Sequence, residues 1–161
     1  MSGPSARPVP AVLWPPPIGG IFWFSGSMPG EANVSIAVLR LGSPRKPNEG
    51  VRLGTVRRPP RGVPKSQFAK RDFYDVWLPT LSPSQALVTF AQRSQDARSW
   101  KAFERKFRAE MNKPDAARVL DLLAALSHQT NFSLGCYCED EERCHRSVLR
   151  KLLAERGAEF A

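Results

Sequence analysis

The sequence predicts one α/β domain with a mainly parallel sheet flanked by helices. Short β-branched apolar runs alternate with longer segments of helical period, the pattern of strands linked by crossover helices. The 161 residues and 42% hydrophobic content suit a single core of ordinary size. No apolar run approaches the ~20 residues that span a bilayer.

Residues 1–30 stand apart. Pro4, Pro8, Pro10, Pro15, Pro16 and Pro17 exclude a continuous helix, and Trp14, Ile18, Ile21, Phe22, Trp23 and Phe24 follow neither the helical nor the strand period. This segment is expected to be a low-complexity, poorly ordered leader before a domain spanning residues 31–161. Pro15-Pro16-Pro17 interrupts the only candidate core of a secretory signal. Met28 is the expected true start, and a native protein whose intact mass begins at Ser2 would overturn that.

Within the domain, Val34 to Leu41 reads as a buried strand bounded by Gly42-Ser43-Pro44. Pro44 to Lys65 reads as a loop-rich basic stretch, and Phe73 to Leu78 as a second strand closed by Pro79. Asp75 inside that strand needs a basic partner or solvent. Ser82-Pro83-Ser84-Gln85 predicts a helix start, with the Ser82 hydroxyl as cap and Gln85 completing a capping box. Trp100, Phe103, Phe107 and Met111 recur every three or four residues, so they form the core stripe of an amphipathic helix. Pro114 opens a third helix, expected to be well buried because Val119, Leu120, Leu122, Leu123 and Leu126 cover much of its girth. His128 at its end reads as a favourable cap charge. Asn131 to Cys138 predicts another strand, and Cys144 to about Arg156 a last helix stopped by Gly157.

Charge is concentrated in one place. Between Arg40 and Arg71 there are ten basic residues and one acid, Glu49. That equals the whole chain's net +9 and leaves the remainder neutral. A localised excess of this kind points to an anionic partner.

The chemistry-bearing residues lie in Cys136-Tyr137-Cys138 and Cys144-His145-Arg146-Ser147, which contain every cysteine of the chain. In open α/β sheets, ligands bind beyond the carboxyl ends of strands, where loops meet helix N-termini. Cys138 falls at such a strand end and Cys144 at the next helix start, where unpaired amides favour a thiolate and a bound anion. In one reading Cys144 is a nucleophile or redox thiol, with Cys138 as resolving partner and His145 as base. In a second, Cys136, Cys138, Cys144 and His145 bind zinc; against it, adjacent ligands rarely converge on one metal and the usual two-residue cysteine spacing is missing. In a third, Cys136 is a small core residue and the other thiols line a polar loop. The five-residue spacing of Cys144 and Arg150 matches a tyrosine-phosphatase loop. The run has no glycine, however, and reads as helix, which carries Arg150 away. An odd number of cysteines favours a reducing compartment, hence the cytoplasm.

Pro60-Arg61-Gly62-Val63, Tyr74-Asp75-Val76-Trp77-Leu78-Pro79, Leu81-Ser82-Pro83-Ser84, Trp100, Phe103 and Glu110-Met111 form an ordered string with the two cysteine motifs. In this string, from about Val34 to Gly157, the chain resembles the domain-of-unknown-function 488 family of small bacterial and archaeal proteins. The resemblance implies a compact α/β domain and brings no established activity, substrate or cofactor. Many relatives lead into the Pro-Arg-Gly stretch with aspartate and tryptophan, where this chain reads Arg57-Arg58-Pro59.

The leading functional expectation is a thiol-dependent enzyme acting on a phosphorylated or nucleotide-like anion. Cys144, Cys138 and His145 would be catalytic, and Arg61, Arg146, Ser147 and Lys65 would hold the anion. Neither a metal nor a cofactor nor a membrane is expected. The alternative is a non-catalytic protein that binds nucleic acid through phosphate contacts without sequence readout. The blandest reading is a solvated basic surface with no specific partner.

Overall fold

The computed structural model describes residues 34–93 and 96–161; the expected leader and the Met28 start lie outside them. Four strands form one parallel sheet: β1 (Ile36–Arg40), β2 (Val51–Gly54), β3 (Val76–Trp77) and β4 (Phe132–Cys136), in the order β1-β4-β2-β3. β4 is flanked on both edges, with Val38 and Leu53 both opposite Leu134, and all five of its residues are buried. The last residues extend the far edge, where the Ile36 amide donates to Glu159 O (2.8 Å) and the Ala161 amide to Ile36 O (3.1 Å).

Two strand expectations need correction. β2 lies inside the stretch read as loop. It is four residues long and carries an arginine, so neither length nor periodicity marks it. Asn48 (φ 60°) and Gly50 (φ 73°) turn the chain into it, and β1 reaches it without a crossover helix. Conversely, Phe73 to Leu78 contributes only two strand residues, both exposed at the sheet edge.

β2 tolerates Arg52 because a polar network receives it. By strand alternation, Ile36, Leu53, Phe132 and Leu134 pack into the main apolar core. Arg52 and Ser133, both fully buried, are neighbours across β2 and β4. Glu49 accepts from Arg52 Nε (2.6 Å), Arg52 Nη2 (2.7 Å) and Ser133 Oγ (2.8 Å). The second Arg52 amine takes the Ser43 and Asp72 carbonyls, so one guanidinium ties three loop segments together. Asp75 also finds its partners: both oxygens accept from Arg45 (2.8 and 2.9 Å) and one from the Arg52 amide (2.8 Å).

Between β3 and β4 run α1 (Gln85–Arg93), α2 (Ala97–Met111) and α3 (Pro114–Leu126), and α4 (His145–Ala154) follows β4. The cap of α1 is Ser84 rather than Ser82. Ser84 Oγ accepts from the Leu87 amide (3.3 Å), and Glu110 of α2 accepts from the Ser84 amide (2.9 Å). The Ser82 hydroxyl instead donates to Pro79 O (2.6 Å). On α2, Phe103, Phe107 and Met111 are buried as the period requires, and Asp96 caps the helix by accepting from the Ser99 amide (2.6 Å). α3 buries only one face; Leu122 is 58% exposed, contrary to expectation. His128 Nε2 lies 2.9 Å from Gly157 O, a carbonyl just past α4 rather than one of its own helix. Gly157 (φ 79°) closes α4 with the left-handed turn that returns the Ala158 amide to Leu153 O (3.0 Å). Among the described residues no helix is long and apolar enough to cross a membrane.

Candidate active site

The carboxyl ends of β2 and β4 lie side by side, since Gly54 is paired with Gly135. Beyond β4 the chain runs through Cys136 and Cys138 to Cys144, the N-cap of α4. Beyond β2 it continues as Thr55, Val56 and the Arg57–Arg61 loop. These segments border a cleft of about 740 Å³. Arg57, Arg58 and Arg61 line one part, Val88, Trp100 and Phe103 supply apolar surface, and the three cysteines with His145 line another part. The aromatic stripe of α2 therefore has two roles. Phe103 is core, yet it also reaches the cleft beside Trp100, stacked on it at 4.8 Å.

Cys144 has three kinds of neighbour. Arg146 Nε donates to its sulfur at 3.4 Å while Nη2 donates to Cys138 O at 2.8 Å. Arg146 is only 2% exposed, and among the described residues it forms no ion pair with a carboxylate. A buried guanidinium without a counter-charge is costly, so Arg146 favours the thiolate form of Cys144. His145 is the second neighbour. Its Nε2 lies 2.7 Å from Thr55 O, and a carbonyl only accepts, so Nε2 carries the proton. That turns Nδ1 toward Cys144 Sγ, 3.7 Å away. Phe107 packs edge-on against the imidazole at 5.7 Å, and Thr55 Oγ1, 3.2 Å from Nε2, donates to Gly135 O.

The other two thiols are the third neighbour. The Cys136 and Cys138 sulfurs are 3.6 Å apart, and all three sulfurs lie within 4.8 Å of one another. Hydrogen bonds from Cys136 and Cys138, together with His145, hold the Cys144 thiol far below its ordinary range against the opposing effect of burial. Cys136 moves up, as a donor to Cys138 and Cys144 and through burial. Cys138 accepts from Cys136, which lowers it, but its bond to Cys144 and its burial leave it raised. The acidic run points away from the thiolate. Glu139 pairs with Arg40 (3.0 Å), Glu141 with Arg150 (3.3 Å), and Asp140 accepts from the Glu142 amide (2.9 Å). Arg150 also stacks on Phe160 at 5.2 Å.

The residues proposed from sequence thus divide. Cys144, Cys138, His145 and Arg61 share the cleft. Arg146 sits at the Cys144 sulfur rather than among the lining residues. Ser147 turns its hydroxyl to Cys144 O (2.9 Å), stabilising the helix start. Lys65 is exposed on a one-turn 3₁₀ helix (Lys65–Gln67) away from the lining. Thr55 was not anticipated, because its strand was not; had β2 been recognised, the rule of carboxyl strand ends would have pointed to it. Tyr74 and Tyr137 each bury a hydroxyl that finds no partner among the described residues. Tyr137 lines the cleft, and both rings pack on the small cluster containing Cys136 and Cys144.

A family model described as the active DUF488-N3 subclade matches residues 36–157, from the first residue of β1 to the glycine that ends α4. No curated protein and no solved structure matches the chain. The match takes in all four strands, all four helices and every residue of the thiol site, and by it the chain belongs to the DUF488 family.

Proposed function

We propose that this chain is a thiol-dependent enzyme acting on a phosphorylated or nucleotide-like anion, with Cys144 as its nucleophile. One observation carries the reading: among the described residues the buried Arg146 has the Cys144 sulfur as the only anion-forming group among its hydrogen-bond partners. A structural cysteine needs no such partner, whereas an activated one does. The description of the matched subclade as active agrees with it.

In this mechanism the Cys144 thiolate attacks the electrophilic centre and forms the new bond from sulfur. The leaving group departs with its bonding electrons and takes the proton that His145 Nδ1 has received from the Cys144 thiol. His145, then neutral, accepts a proton from the water that releases the intermediate. Thr55 O holds the ring so that Nδ1 keeps facing the sulfur. Arg57, Arg58 and Arg61 neutralise the anion, and Trp100 offers a flat apolar surface beside it. Where a peroxide oxidises Cys144 to its sulfenic acid, Cys138, the exposed thiol within 4.8 Å of it, attacks that sulfur and releases water to form a disulfide. Three free thiols fit a reducing, cytoplasmic setting.

The test is a panel of nucleoside phosphates followed by intact mass and peptide mapping. A covalent adduct on Cys144, absent in Cys144→Ser, is the expected result. Turnover or adduct formation unchanged in Cys144→Ser ends the proposal. Binding of a nucleoside diphosphate should weaken about ten-fold or more in Arg58→Ala or Arg61→Ala, since a charge-assisted hydrogen bond contributes about 1.5–3 kcal/mol.

A further inference from the structure

The three thiols are closer together than nucleophilic chemistry requires. One nucleophile needs one sulfur and one resolving partner, yet Cys136 is also turned into the cluster from the buried end of β4. We propose that Cys136, Cys138 and Cys144 form a three-thiolate site for one soft divalent cation, Zn²⁺ being the physiological candidate, with the remaining coordination position directed to the cleft.

The distances fit. Zinc–thiolate bonds of about 2.3 Å at a tetrahedral angle put sulfurs about 3.8 Å apart. The Cys136–Cys138 separation is 3.6 Å and no pair exceeds 4.8 Å, so sub-ångström adjustments close the site. The unusual spacing also has a reason. Cys136 ends a strand and Cys138 follows two residues later, so an extended chain puts both on one side, where period two replaces the two-residue knuckle. The helix start brings the third sulfur to them.

Charge fits as well. Three thiolates around a divalent cation leave a net of −1, and the buried Arg146 supplies +1 with its Nε on the Cys144 sulfur. His145 is not needed as a ligand: its Nε2–H is fixed on Thr55 O, and Cys144 directly before it already supplies a sulfur. Binding releases the thiol protons still present on Cys136 and Cys138. With the metal bound, Cys144 cannot attack a substrate, so metal loading is an off state of the thiol chemistry. The metal site itself stands on the sulfur geometry and does not depend on that chemistry.

The experiment uses the full chain, reduced, stripped with a chelator and titrated with Co²⁺ alone, followed by displacement with Zn²⁺. The expected spectrum has thiolate-to-cobalt charge transfer and strong tetrahedral visible bands, saturates at one ion per chain, and is lost on adding Zn²⁺. Cys136→Ser, Cys138→Ser and Cys144→Ser should each cut affinity by more than about ten-fold, the least that disturbing a ligand's support costs elsewhere. A weak octahedral spectrum, or affinity unchanged in Cys136→Ser, overturns the proposal. Should Cys136→Ser lose its circular dichroism, alkylation of the unmutated chain decides. Zn²⁺ must protect all three cysteines, and protection of fewer contradicts the site. No readout here uses turnover, so a cobalt spectrum without Cys144 reactivity in the metal-free chain would retain the metal site and remove the enzyme reading. The reverse pair of results would do the opposite.

Discussion

Replacing Glu49 with Gln should uncouple the loop that leads to the arginine wall from the sheet that carries the thiols. The carboxylate side chain is 2% exposed and accepts from Arg52, Ser133 and the Lys46 amide. Burial raises its pKa, but the bonds from Arg52, Ser133 and Lys46 outweigh that and bring it from 4.5 to about 2. A difference of about 2.5 units at 1.36 kcal/mol each gives about 3 kcal/mol of stability. Because the folded-state value is the depressed one, this contribution is fully present above pH 4.5 and is lost as pH falls toward 2. At neutral pH, Glu49→Gln leaves the Arg52 guanidinium buried without its counter-charge, a loss of about 3–5 kcal/mol. Urea unfolding of both proteins from pH 7 to pH 2.5 is the assay. Other carboxylates with lowered values, such as Asp75, titrate in both proteins and cancel in the difference. The gap should be near its full size at pH 7 and shrink steadily below pH 4.5. Parallel curves, or a gap under about 1 kcal/mol at pH 7, would refute the claim that this pair anchors β2.

Four further outcomes follow from the same structure. Tyr74→Phe should leave the melting temperature unchanged or slightly higher, because the buried hydroxyl has no partner among the described residues; a fall worth about 1 kcal/mol or more would reveal a bond to it. Gly54→Ala should cost about 1–3 kcal/mol, since a Cβ there runs into the Tyr74 ring, and it should also slow Cys144 alkylation by displacing Thr55. An alanine as stable and reactive as the parent would contradict this. If the chain binds random-sequence duplex, the slope of log K against log salt should be no steeper than about −6. Among the described residues, Lys46, Arg57, Arg58, Arg61, Lys65, Lys70 and Arg71 of the basic segment form no ion pair, and each neutralised phosphate contributes about −0.9. A steeper slope would move the binding surface elsewhere. Thr55→Val should lower Cys144 reactivity less than His145→Ala does, because the His145 bond to the Thr55 main chain survives the change.

The fold class was legible because β1, β4 and the four helices obey simple periods and carry their own punctuation. Pro114 and Gly157 mark ends that the backbone confirms. β2 was not legible, since a buried arginine in a four-residue strand looks like a solvated loop until Glu49 and Ser133 are seen to satisfy it. The α1 cap moved from Ser82 to Ser84 because Glu110, a residue of another helix, completes it. The candidate site was legible where chain position alone placed its residues: Cys138 after a strand and Cys144 at a helix start. Arg61 joined them through the tertiary fold, and Lys65, four residues later on the same charged segment, did not. The +9 of the segment therefore overstates its free charge. Arg40, Arg45 and Arg52 are spent on Glu139, Asp75 and Glu49.

The order in which the three cysteines of the metal-free protein are alkylated near neutral pH, mapped by mass spectrometry, bears most directly on Cys144 as the activated thiol. Exposure alone selects Cys138, because Cys136 and Cys144 are buried. Hydrogen bonds from Cys136, Cys138 and His145, with Arg146 Nε on the sulfur, favour the thiolate of Cys144 and so select that residue, which lines the cleft. Cys144 should be labelled first, and Arg146→Met should slow it on the order of ten-fold, the equivalent of one pKa unit. Labelling of Cys138 ahead of Cys144, at a rate indifferent to Arg146→Met, would contradict the account.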